Sequence, residues 1–186
     1  MNDKNDRRSQ RTRQLLGEAL VTLIRERDYS TITVSDIVER ANVGRSTFYA
    51  HYEDKDSLLV NQMEHVIDFL NRRVPGQEEI PFFPSLGLFR HVGEEYELYK
   101  TLVWTPGIDA LIKHMRRSLS QRVEEGLAKS GRQYDVPLPI LANFIIGSFL
   151  TLLQWWLENK RTQSPEQMNE IFRKLALTGI GAATTK

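Results

Sequence analysis

Cysteine is absent from the 186 residues. That excludes disulfides, thiolate metal sites and cysteine nucleophiles, and it suits a reducing compartment. Strand patterning is missing too: nowhere do apolar and polar residues alternate in the way a half-buried strand requires. The four histidines, at 51, 65, 91 and 114, show no HExxH or other metal-binding spacing. No glycine-rich phosphate loop and no nucleophile motif appears, so no metal, no cofactor and no catalysis are expected. The opening residues, MNDKNDRRSQRTRQ, lack the apolar run of a secretory signal. The expected location is the cytoplasm.

What is present is enough apolar material for a substantial core, 40% of residues against 26% charged, with a formal net charge of only +1. A total near neutrality says little about partners, because a local basic patch suffices to bind a polyanion. The pattern along the chain is helical throughout. From Arg8 to Arg27 the residues Leu15, Leu16, Ala19, Leu20, Leu23 and Ile24 form one apolar stripe at helical spacing. After a break at Asp28-Tyr29-Ser30, Thr33 and Asp36 make a capping box ahead of Val34, Ile37, Val38 and Ala41, which predicts a short second helix. Asn42-Val43-Gly44 reads as a tight turn, and Arg45 to Tyr52 as a third helix with Phe48 and Tyr52 inward.

A fourth helix is expected from about Asp54 to Arg73, closed by Pro75-Gly76 and followed by a proline-containing linker to Ser85. Further helices are expected at about Leu86 to Val103, Ile108 to Ala128, Leu138 to Glu158, and from Ser164 through Leu177 to a stop at Gly179. The stretch from Leu138 to Glu158 is long enough for a membrane span, but Asn143, Gly147, Thr151 and Gln154 form a seam that suits burial in protein. The fold class is therefore all-α, with no membrane partner.

Two short helices joined by a tight turn, flanked by a helix on each side, make a helix-turn-helix whose second short helix can enter a major groove. The order T-V-x-x-I-x-x-x-A-x-V-x-x-x-T-x-Y-x-H-Y-x-x-K-x-x-L resembles the amino-terminal DNA-binding domain of TetR family transcriptional regulators, over about Arg11 to Leu59. Asn42, Gly44 and Ser46 stand where the family commonly has glycine, serine and glycine. The resemblance implies a DNA-binding domain over residues 1–56 and a helical effector-binding and dimerisation domain over 57–186.

Position by position, the residues have suitable chemistry. Arg45, in the first turn of the presumed reading helix, has the planar fork that reads guanine O6 and N7. Ser46 and Thr47 are further base-edge candidates, and Thr33, Tyr49 and His51 can each donate a hydrogen bond to phosphate. Lys55 opposes the macrodipole of the helix it opens, a conflict that a nearby phosphate would remove. Arg8 and Arg11, with Arg7 and Arg13, suit a flexible arm or a helix end touching phosphates, though a solvated tail is an equal reading.

A single reading helix spans few base pairs, so a homodimer on a palindromic double-stranded operator is expected. Phe149, Leu152, Trp156, Met168, Phe172 and Leu175, on the last two helices, are the interface candidates. Phe89, Tyr96, Tyr99, Trp104, Phe144 and Phe149 are candidates for lining a pocket for a small apolar or aromatic effector, with ordinary core as the competing reading. The family resemblance implies a repressor, bound to DNA in the bacterial nucleoid and released by its effector. A DNA-binding adaptor that recruits a protein partner is the alternative, and a small helical enzyme a remote one.

Overall fold

The computed structural model describes residues 3–73, 83–103 and 108–182, and among these every regular element is helical. In chain order they are α1 (Asp3–Glu26), α2 (Val34–Ala41), α3 (Arg45–Tyr49), α4 (Lys55–Arg73), α5 (Ser85–Glu94), α6 (Tyr96–Val103), α7 (Ile108–Lys129), α8 (Leu138–Glu158) and α9 (Pro165–Ala182), with a 3-10 turn at Tyr29–Thr31.

Two apolar cores organise these helices. The first joins Leu16, Leu20 and Ile24 of α1 to Ile37, Phe48 and Leu58, all essentially inaccessible to solvent. The second joins Phe83, Phe89, Val123, Ile145, Phe149, Trp156 and Phe172. Helix α4 belongs to both, contributing Leu58, Leu59 and Met63 to the first and Ile67 to the second. Leu98 and Leu102 of α6 return to the first core, and Met115 of α7 packs against it, so α6 and α7 as well as α4 join the two halves of the molecule.

The expected single helix from Leu86 to Val103 is in fact two, broken at Glu95, whose backbone sits at φ −101°, ψ 31°. The break lets α6 turn its apolar face toward α1 while α5 packs on α9. Arg161 donates to the carbonyl of Gly93 at 2.5 Å, just before the break, occupying an acceptor near the end of α5. Helix α9 also runs past the expected stop at Gly179 to Ala182.

The interior of the second core is an aromatic stack. Phe149 meets Phe83 at 4.8 Å, Phe89 at 4.9 Å and Phe172 at 5.3 Å between ring centroids, and Phe89 meets Trp156 edge-on at 5.7 Å. Such tilted and edge-to-face pairs fill space and add to burial. Helix α8 is long and apolar enough to cross a bilayer, yet Leu141, Ala142, Ile145, Ile146 and Phe149 are buried against its neighbours.

Candidate nucleic-acid interface

The helix-turn-helix is built by local signals. Thr33 caps α2 through a reciprocal box: the Asp36 amide donates to Thr33 Oγ1 at 3.3 Å, and the Thr33 amide and hydroxyl donate to Asp36 Oδ2 at 2.8 and 2.7 Å. Arg27 reaches the same carboxylate at 2.8 Å. The Thr33 hydroxyl and amide together with Arg27 hold the Asp36 carboxyl down at a pKa of about 2. The Thr33 hydroxyl proton, the Thr33 amide and the Asp36 amide are thus all engaged within the cap itself.

Helix α2 ends at Asn42, in the left-handed conformation at φ 51°, ψ 49°. Asparagine adopts that region more readily than other non-glycine residues, which explains how the turn forms without a glycine there. Gly44 then starts α3 in an extended conformation. Only five residues long, α3 is shorter than the sequence pattern predicts, ending at Tyr49, although Tyr52 is buried as expected.

Its sidedness follows from one anchor. Phe48 is fully buried, with the Tyr49 ring 5.4 Å and the Tyr52 ring 5.8 Å from its own. With Phe48 inward, Arg45, Ser46 and Tyr49 are exposed and Thr47 half-exposed, so the structure brings these candidates together on one short helix. Arg45 donates to Ser35 Oγ at 2.6 Å, which carries its guanidinium back toward the first turn of α2. Ser35 was not singled out by sequence reasoning, since nothing in the linear pattern pairs it with a residue ten positions on. His51 follows α3 and is half-buried beside Tyr52.

Arg8 and Arg11 lie exposed on α1, which begins at Asp3, so they sit on a helix end and not on a flexible arm. Lys55 departs most from expectation. Its ammonium donates to the carbonyls of Tyr29 (2.8 Å), Ile32 (2.8 Å) and Ser30 (3.3 Å) and sits 4.5 Å from the centroid of the Tyr29 ring. The dipole conflict that pointed to phosphate is thus relieved within the domain. Next to it, the Tyr29 hydroxyl donates to Asp56, and burial, reinforced by that bond, pushes the phenol well above its ordinary pKa. The break read at Asp28-Tyr29-Ser30 is therefore an ordered, partly buried junction.

Among the described residues, the effector candidates occupy several different environments. Phe89 and Phe149 are inside the aromatic stack, whereas Phe144 is 52% exposed. Tyr96 is half-buried beneath the Arg161 guanidinium, 4.1 Å from ring centroid to charge, and donates to the Leu157 carbonyl at 3.3 Å. Tyr99 faces Met63 of α4, its hydroxyl 3.6 Å from the sulfur. Trp104 lies outside the described residues. An open groove of about 600 Å³ between α5 and α9 is lined instead by Leu86, Glu166, Asn169, Glu170, Arg173 and Lys174, among others.

The interface candidates also need correction. Phe149, Trp156, Met168 and Phe172 are at most 1% exposed within a single subunit, so they cannot form its outer face. Leu152 is half-buried, and Leu175, 59% exposed, does face outward. The apolar residues that join Leu175 at the surface of α8 and α9 are Ile140, Phe144, Trp155 and Ile171.

Comparison with known proteins agrees with this architecture. Residues 16–61 match the description "Bacterial regulatory proteins, tetR family", and residues 85–178 match the TetR-type "Transcriptional regulator C-terminal region". An uncharacterized HTH-type transcriptional regulator, YxbF of Bacillus subtilis (strain 168), is 41% identical over 70 residues; the match covers 35% of this chain and only 18% of that protein. A TetR transcriptional regulator from Streptococcus agalactiae 2603V superposes with a TM-score of 0.65 at 28% identity, covering 95% of this chain and 99% of the other. The fold is shared with FadR of Thermus thermophilus, a TetR family repressor solved with lauroyl-CoA, at a TM-score of 0.63 and 20% identity, with 90% of this chain and 94% of that one covered. With a capped helix-turn-helix at one end, an interlocked helical body at the other and family matches to both, the chain belongs to the TetR family of transcriptional regulators, which are DNA-binding proteins and not enzymes.

Proposed function

We propose that this regulator is a cytoplasmic homodimeric repressor that binds a palindromic operator through α3 and is released by a small-molecule effector. The observation that carries the reading is the sidedness of α3: one buried phenylalanine turns an arginine, a serine, a threonine and a tyrosine outward on a helix short enough to lie in a major groove. Arg45 would read guanine, Ser46 and Thr47 flanking base edges, and Tyr49, His51 and the amides behind Thr33 the phosphates. Arg8 and Arg11 would add cationic phosphate contacts from α1.

Pairing through the outward apolar residues of α8 and α9 supports the dimer, because Ile140, Phe144, Trp155, Ile171 and Leu175 leave an apolar surface of the kind that marks interaction sites. An effector acting on the second core would reach the reading head through α4, α6 and α7, which have residues packed in both cores. A second reading, an adaptor switched by a protein partner, is favoured by one observation. Among the described residues, Phe83, Phe89, Phe149 and Phe172 pack against one another, so an effector entering between these four rings would have to displace them.

The test is selection of bound genomic fragments by the purified protein, followed by screening of compounds for loss of binding. Enrichment of an inverted repeat with half-site centres ~34–36 Å apart supports the dimeric reading. Release by a compound supports the effector; release by a protein alone supports the adaptor. Failure to enrich any sequence at moderate salt overturns the operator reading.

A further inference from the structure

We propose that Lys55 is a positioning residue for the reading helix, which ties the first turn of α4 to the start of α2 and makes no bond to DNA. An ammonium has three N–H donors and no more. The carbonyls of Tyr29, Ser30 and Ile32 accept from it at 2.8, 3.3 and 2.8 Å, and the Tyr29 ring covers it from 4.5 Å. None is left for a phosphate.

The location gives the clamp its consequence. The Ile32 carbonyl immediately precedes Thr33, the cap of α2, and α2 carries the Asn42 turn and α3. On the other side Lys55 is the first residue of α4, which continues into the second core through Ile67. The Tyr29 hydroxyl on Asp56 makes a second strap between the same two segments. A displacement of α4 is thereby passed to the start of α2, and the reading head follows it. A cation in the first turn of a helix is unfavourable on its own. Here the three carbonyls and the ring offset that cost, which explains why the position holds lysine without any contribution from DNA.

This inference rests on α3 being the reading helix, and its test separates the two. Lys55→Met and Lys55→Arg are compared with wild type for operator binding across a salt series, and for hydrogen exchange of the Asp36 and Ile37 amides without DNA. Both amides are held by Thr33, through its hydroxyl at 3.3 Å and its carbonyl at 3.2 Å. Both variants are expected to bind about tenfold or more weakly, by the same factor at every salt concentration, and to exchange faster at these amides.

Arginine is expected not to rescue, because its flat fork cannot direct three bonds into a pocket shaped for a compact ammonium. A phosphate ligand would behave otherwise: arginine would restore binding, and methionine would reduce the salt slope by about 0.9 for each half-site. Either result overturns the proposal. Unchanged exchange in both variants overturns it as well, whether or not an operator has been found. Should the methionine variant unfold, the arginine variant, which keeps the charge, decides between the two roles.

Discussion

Arg45, Phe48 and Asp36 divide the work of the proposed reading head at the scale of single residues. Phe48 fixes which way α3 faces, so Phe48→Ala should lower stability by about 3–5 kcal/mol in urea unfolding and abolish DNA binding with it. Asp36 does its work through charge. Its folded pKa of about 2 lies below its ordinary 3.8, so its contribution is present above the ordinary value and lost as pH falls through 2. Thermal melts should therefore show an acid-dependent loss between about pH 4 and pH 2. Asp36→Asn should remove that part of the pH dependence while leaving the rest; an unchanged profile would mean that the capping network contributes nothing to stability.

At the scale of elements, caps and turns are where the sequence is most informative, because their signals are local. Thr33 with Asp36, Asn42 and Gly44 lie within a few residues of what they control, and α2, the turn and the start of α3 all follow from them. Asn42→Gly should retain stability in urea titrations, whereas Asn42→Val should lose roughly 1–2 kcal/mol, since a β-branched residue resists the left-handed region. The break between α5 and α6 was not legible. It depends on Leu98 and Leu102 finding the first core and on Arg161 reaching the Gly93 carbonyl, both contacts from distant parts of the chain. Helix α8 shows a related limit. A helix apolar nearly all round has no phase, so periodicity could not distinguish Phe149 and Trp156, which are buried, from Phe144 and Trp155, which are not.

The same distinction governs the whole molecule. If α8 and α9 pair with a second copy, charge on their outer face should separate subunits without unfolding them. Phe144→Asp with Leu175→Asp is expected to sediment as a monomer with a near-native far-ultraviolet spectrum, whereas Phe172→Ala, deep in the core, should lose about 3–5 kcal/mol of stability. A double variant that stays dimeric would move the interface elsewhere. Lys55 belongs at this scale as well: the chemical reason for expecting phosphate beside it was sound, but the carbonyls that satisfy it come from residues more than twenty positions earlier.

The central claim is that α3 reads sequence through Arg45. The direct measurement is the ratio of affinities for the selected operator and a scrambled duplex, at one fixed salt concentration, for wild type and Arg45→Ala. The account predicts that the variant stays folded and keeps its binding to the scrambled duplex within about twofold, while operator binding falls by roughly 1–3 kcal/mol for each half-site. An unchanged ratio, or equal loss on both duplexes, would show that Arg45 contacts no base and would contradict the account.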